Sequence, residues 1–322
     1  MTPLRRLFFA GIVGMVGVAA GEAGARAFVY SAGQASIPDD QVRMHVAMGA
    51  MKYDALLGWT WSTLPQPQFN IDANGFRYGT PLLQGKRPGQ IRAFTLGDSQ
   101  TYGAGLEWNQ TYAAVAETEL RARGFDVQLI NAAISGYGSL QALRLFENRL
   151  HVWNPDYLVV DCRPFDQPRE TNVPHQVGVA RLLDPILFNS KLYYLLRFSI
   201  ELLRPDGAAR MAPNAEADPA RFGNHHLLIQ RAARYGVSVI FLDYPFWDKN
   251  GNIRQLAPPE KLPIGAVIAP VTAALTASGI APDQLFLDNN HLSVAGSAIV
   301  GRALADTLAP LFPMTAREGA LP

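Results

Sequence analysis

From Ile91 onward, short apolar runs alternate with amphipathic stretches, and that alternation leaves few choices of fold. The runs IRAFTL, VQLINAA, DYLVVDC, VSVIFLDYP and QLFLD are rich in Val, Ile, Leu and Phe and read as strands. Between them, QTYAAVAETELRARG, LQALRLFENRL, LYYLLRFSIELL, NHHLLIQRAARYG and VIAPVTAALTASG carry helical patterning, and SVAGSAIVGRALADTL follows the last run. Strands joined by helical crossovers pair in parallel, and a parallel sheet is covered on both faces. The pattern predicts a three-layer α/β/α domain over residues 91–312, built on a central, mostly parallel five-stranded sheet. Residues 177–221 exceed what a crossover needs and read as a lid or docking insert, with MAPNAEADPA as a loop. Residues 313–322 form a tail.

Ahead of this domain the chain has two other textures. Residues 30–90 lack a strong period and read as an irregular preamble packed on the main domain. Trp59 and Trp61 are its candidate anchors, Asn74-Gly75-Phe76-Arg77 is turn-like, and Lys86-Arg87-Pro88-Gly89 is a polar break. Residues 1–29 hold Arg5 and Arg6, followed by an uncharged run from Leu7 to Ala20. Two cations before such a run are the layout of an export signal or a single-pass anchor. Ala25-Arg26-Ala27 offers a cleavage site, whereas Glu22 and Arg26, four apart, would pair on one helix face and lengthen the span. The preferred reading is an uncleaved anchor in the inner membrane. The arginines then stay cytoplasmic and the body faces the periplasm; secretion after cleavage is the alternative.

Charge and cysteine content exclude other classes. Lys+Arg 28 against Asp+Glu 27 leaves a net charge of +1, so there is no basic field for nucleic acid. One cysteine, Cys162, excludes an intrachain disulfide framework and any CxxC site. His225 and His226 are adjacent and point apart on their helix, and His45, His151 and His175 have no partner at ligand spacing. Neither a metal nor another cofactor is expected.

The chemistry is expected where the strands end, because ligands of open parallel sheets gather at the C-terminal rim. There the sequence places GDSQTYG, residues 97–103, after the first run and NAAISG, residues 131–136, after the second. DNNHLSVAG follows the last, with Asp288 three residues before His291. A serine, a histidine and an aspartate on one rim are the parts of nucleophilic acyl transfer. Competing readings make Ser99 a helix N-cap and His291 a packing residue; Asp98 reads as structural, bonding the turn.

GDSQTYG resembles the nucleophile block of the SGNH (GDSL-type) hydrolases, NAAISG their second block and DNNHLSVAG their final D-x-x-H block. The likeness covers about residues 91–311. Leu57-Gly58-Trp59 and Asn74-Gly75-Phe76-Arg77 add a resemblance to a bacterial membrane-anchored subgroup. The resemblance implies Ser99 as nucleophile, His291 as general base and Asp288 as the carboxylate that orients the ring. It also implies the Ser99 and Gly136 N–H groups as oxyanion donors. The third block departs from the family: in PDYLVVDCRPFD, Asp166 aligns with the aspartate of G-x-N-D, but Phe165 stands where an asparagine side chain would donate. Arg163 or Gln167 is the expected substitute. The implied function is an exported esterase acting on acyl esters of a glycan, envelope component or lipid. Two alternatives are an O-acyltransferase using the same acyl-enzyme and a catalytically impaired binding or scaffold protein.

Overall fold

The structure, a computed structural model, describes residues 2–34, 51–54, 56–61, 70–161, 187, 190, 192, 193, 196, 223–248, 250–255 and 265–313. Its contacts divide the chain into two compact units, residues 1–59 with 174–214 and residues 60–173 with 215–322.

The first unit is dominated by α1, Pro3–Gln34. Within it, the 24 residues Arg5–Phe28 have a mean hydropathy of 1.7 and none of the apolar window is buried. At 1.5 Å per residue that stretch is about 36 Å long, enough to cross a hydrocarbon core. A signal sequence has the same properties. The predicted pair forms, with Arg26 Nε 2.7 Å from Glu22 Oε1. Glu22 also accepts from the Ser190 hydroxyl at 2.7 Å and the Leu192 N–H at 3.1 Å.

The second unit holds the sheet. Its strands are β1 Ile91–Leu96, β2 Val127–Asn131, β3 Tyr157–Asp161, β4 Ser238–Leu242 and β5 Val267–Ala269. All pairings are parallel, in the order β2-β1-β3-β4-β5. The register sets Ile91 beside Val127, Ala93 beside Tyr157, Tyr157 beside Ser238 and Ile240 beside Val267. Helices α3 Tyr112–Ala122, α6 Val271–Ala277 and α8 Val294–Leu308 cover one face, where Ala93, Leu129, Val159 and Ile240 meet Ala116, Leu275 and Leu304. The other face buries Phe94 against Phe76 at 5.2 Å and Phe241 against His225 at 5.3 Å, below α4 Ser139–Leu145 and α5 Gly223–Ala233. Side chains alternate between two faces that are both covered, so nearly every position is buried and these strands read as almost continuous apolar runs.

The fifth strand is not the one predicted. QLFLD does not form a strand: Pro282 opens the short helix α7, Pro282–Leu285, and Phe286 makes only an isolated bridge to Leu292. Proline suits the first helical position, where no N–H is needed. The edge strand is instead Val267–Ala269, which the sequence assigned to the start of a helix. Pro270 ends it and α6 begins one residue later. A β-branched pair before a proline favours extended backbone, because the residue preceding proline is pushed out of the helical region. A small antiparallel hairpin, Pro245–Trp247 with Ile253–Gln255, follows β4 and was not anticipated. The segment predicted to be irregular over residues 30–90 contains a two-stranded sheet, Met51–Asp54 with Gly58–Trp61, whereas residues 70–90 hold only isolated bridges and turns, with Asp72 Oδ1 accepting from the Asn74 and Phe76 N–H groups at 2.9 Å each. Trp61 is buried and its ring lies 5.2 Å from that of Tyr102; the Trp59 side chain lies outside the described residues. Residues 30–90 are thus described only in part, as is the 177–221 insert, and Cys162, His45, His175 and the 314–322 tail lie outside the described residues.

At the N-terminal ends of the strands, one charge is wholly buried. Arg92, with no exposed surface, donates to the carbonyls of Leu83, Gln84 and Trp153 at 2.8–2.9 Å and to Gln128 Oε1 at 2.9 Å. Beside it, Asp156 accepts from Lys86 Nζ at 2.7 Å and from the Arg92 N–H at 2.8 Å, so the polar break packs as an ionic corner. Replacing Arg92 by Met leaves several buried carbonyls without donors. The expected result is a loss of at least about 3 kcal/mol, read as a fall in the denaturant midpoint.

Candidate active site

The strand order reverses beside β1, which has β2 on one side and β3 on the other, so a crevice opens at their C-terminal ends. The chain leaves β1 through Gly97, where a Cβ would overlap the Asp161 carboxylate at the end of β3. That carboxylate, buried in the crevice floor, accepts from the Asp98 N–H at 3.0 Å and the Thr101 hydroxyl at 3.1 Å. Asp98 then caps the four-residue helix α2, Ser99–Tyr102, by accepting from the Gln100 N–H at 2.8 Å, while its other oxygen accepts from the Tyr244 hydroxyl at 2.8 Å. It is a structural turn residue, as its place in the sequence suggested. Gly103, at φ 80°, ends α2 in the left-handed region that glycine tolerates. Arg77 clamps that end by donating to the Tyr102 and Gly103 carbonyls at 2.6 and 3.0 Å. Burial pushes the Arg77 pKa down, with Tyr102 and Glu107 opposing.

The second half of the site is a tight loop between Phe286 and Leu292, both buried and bridged to each other. Leu287 N–H donates to the His291 carbonyl at 2.7 Å, closing the loop. Asp288 Oδ1 accepts from the Asn290 and His291 N–H groups at 2.9 and 2.7 Å. Ser293 caps α8 through the Gly296 N–H, and Gly296 must lack a Cβ because the Leu285 carbonyl occupies that space.

These two loops bring Ser99, His291 and Asp288 together. His291 Nε2 is 2.7 Å from Ser99 Oγ, and His291 Nδ1 is 2.6 Å from Asp288 Oδ2. A carboxylate only accepts, so the proton belongs on Nδ1, which leaves Nε2 to accept from the serine hydroxyl. In such a chain the ring can take the hydroxyl proton as the oxygen attacks. Ser99 and His291 are both nearly inaccessible, whereas the Asp288 side chain keeps about a third of its surface exposed. Burial alone would raise the Asp288 pKa. The hydrogen bond and charge of His291, with the two loop N–H groups, outweigh it and hold the carboxyl well below the ordinary range.

Gly136, exposed and at φ 82°, sits on the loop after β2, which is tied to the serine turn through the Ile134 N–H and the Gly97 carbonyl at 3.2 Å. Ser99 N–H is the first of α2 and has no intrahelical acceptor. Arg163, Gln167, Phe165 and Asp166 lie outside the described residues. Sequence reasoning missed Asp161, Arg77 and Tyr244, and gave no role to Gln100. Only Arg77, in the turn-like NGFR, carried any signal. Among the described residues no group of His, Cys, Asp and Glu is arranged to hold a metal.

No protein-family model matches the chain, and neither does any curated protein sequence. Among solved structures, it is similar to TesA with 18% identity and a TM-score of 0.43, over 68% of this chain and 99% of that one. A lipase/acylhydrolase from Enterococcus faecalis gives 16% and 0.43, over 70% of this chain and 100% of that one. An acetylxylan esterase from Geobacillus stearothermophilus, as a catalytic mutant, gives 15% and 0.41, over 68% and 94%.

The depressed Asp288 pKa has a measurable sign. Its ionised form is favoured by folding, so its stabilising contribution is complete above the unfolded value of about 4 and fades as pH falls toward the lower folded value. In a carboxyl NMR titration Asp288 is expected to stay ionised at pH 4. In His291→Ala the same carboxyl, left with its burial, is expected to titrate at higher pH.

Proposed function

We propose that this chain is a membrane-anchored, extracytoplasmic serine esterase of the SGNH type, cleaving acyl esters on a glycan, an envelope component or a lipid. The observation that carries this reading is the unbroken chain of bonds from Ser99 Oγ through both nitrogens of His291 to Asp288. Ser99 Oγ attacks the ester carbonyl while its proton passes to His291 Nε2. The imidazolium, stabilised by Asp288, returns that proton to the leaving alcohol and an acyl-enzyme remains. Water then attacks the acyl carbon, giving its proton to His291, and the acid leaves as the serine recovers its hydrogen.

The oxyanion formed at each stage is assigned to the N–H groups of Ser99 and Gly136. The first is supported by its place at the start of α2, and the second by a positive-φ backbone free of a Cβ. Arg163 or Gln167 supplies the further donor that Phe165 cannot. Membrane attachment rests on α1, whose apolar length would leave Arg5 and Arg6 on the cytoplasmic side.

A fluorophosphonate probe and nitrophenyl esters of graded chain length test the reading. The wild type is expected to be labelled and to hydrolyse the esters. Ser99→Ala is expected to lose labelling, and His291→Ala to lose turnover by at least about 10³-fold. A well-folded wild type that is never labelled refutes the proposal. Replacing Arg163 and Gln167 singly by Ala is expected to lower kcat by roughly 10²–10³ at one of them. If neither does so, the substitute donor is wrongly assigned.

A further inference from the structure

Gln100, the residue next to Ser99, is almost wholly buried, yet an apolar side chain of its volume would fill the same space without a desolvation cost. Its amide uses both hydrogens on segments far away in sequence. Nε2 donates to the Pro245 carbonyl at 2.8 Å and, in a second and shorter bond, to the Asn290 carbonyl. Asn290 immediately precedes His291. Its side chain is held as well, with Nδ2 donating to the Tyr244 hydroxyl at 3.3 Å while that hydroxyl donates to Asp98 Oδ2 at 2.8 Å. Asn290 is therefore gripped at its carbonyl by the residue after Ser99. At its side chain it is gripped, through Tyr244, by the residue before Ser99.

The backbone at Tyr244 supports a dedicated role. It lies at φ 43°, the left-handed region that a bulky residue seldom occupies, in a side chain with almost no exposure. Strain of this kind persists only where the surroundings fix it. Here it is accompanied by a phenol placed between Asp98 and Asn290. Three residues further on, at the end of the hairpin strand Pro245–Trp247, the Trp247 N–H donates to the Asn289 carbonyl at 2.7 Å and steadies the loop from a third direction.

We propose that Gln100 and Tyr244 are positioning residues, a two-point latch that fixes the histidine loop against the serine turn and so sets the Ser99–His291 contact. The latch rests on the esterase reading. It touches neither substrate nor reacting atoms and acts through the loop that carries His291. Displacements of about 1 Å at such a contact cost up to about 10²-fold in rate. An effect on placement appears in kcat and not in KM.

The test uses the full chain in detergent, with nitrophenyl acetate turnover, the fluorophosphonate labelling rate and thermal melting measured side by side. Gln100→Met keeps volume and removes both donors. It is expected to lower kcat and labelling rate together by about tenfold or more, with KM within about twofold of wild type. Tyr244→Phe is expected to lower both by about threefold. If the two variants fold and keep both rates within about twofold of wild type, with only the melting temperature lowered, the latch is overturned. Should Gln100→Met fail to fold, Tyr244→Phe decides on the same two rates. Loss of labelling in wild type removes the esterase reading and the latch with it. When the wild type is labelled and Ser99→Ala is not, the function stands and the variants judge the latch alone.

Discussion

One hydrogen bond, between Ser99 Oγ and His291 Nε2 at 2.7 Å, joins residues 192 apart in the chain. Nothing local to either residue can hold it. Its length depends on where β1 ends and on where the loop before α8 is pinned, and both ends are fixed by backbone. On the serine side, Asp161 grips the turn from the neighbouring strand, and Gly97 gives it room to do so. On the histidine side, the Phe286–Leu292 bridge and the Ser293 N–H bond to the Leu285 carbonyl at 2.9 Å close the loop over the core. A contact set by two rigid supports costs little entropy to form, because the ordering has already been met by the packing of the sheet and its helices.

The segment before the sheet takes a larger part than its irregular sequence implies. Arg77 bridges to β2 by its own backbone, donating to the Asn131 carbonyl at 2.8 Å, and its guanidinium closes the C-terminal end of the serine helix. That helix is a single turn, and its last carbonyls have few intrahelical donors. Asn131 meets them from the other side, donating to the Thr101 carbonyl at 2.8 Å. A buried cation at the negative end of so short a helix is an electrostatic brace, and it keeps Ser99 at the mouth of the crevice.

What could be read from the sequence follows from how local each signal is. The first four strands and the long helices are visible because burial on two faces leaves continuous apolar runs between clear breaks. β5 was missed because three residues at a sheet edge, run into a helix after Pro270, carry no period of their own. Ser99, Asp288 and His291 were legible through motif spacing, since each lies in a short block with its local partners. Asp161, Gln100 and Tyr244 were not. Their partners are 46 to 190 residues away, and nothing in a single sequence pairs an amide at one position with a carbonyl at another. The third block, with Phe165, falls outside the described residues.

Three carboxylates crowd this rim, and their surroundings separate their roles. Asp98 and Asp161 are the more deeply buried: Asp98 gives one oxygen to a backbone N–H and the other to a hydroxyl, whereas Asp161 takes one bond of each kind on Oδ2. Bonds of this kind fix a turn. Asp288 is more exposed, spends one oxygen on its own loop, and offers the other to His291 Nδ1. Burial still opposes its charge, but the hydrogen bond and charge of the facing ring, with the two loop N–H groups, hold its pKa below the ordinary range. The carboxylate that orients the histidine is thus the one the fold leaves nearest to water. The two it buries hold still the turn that carries the serine.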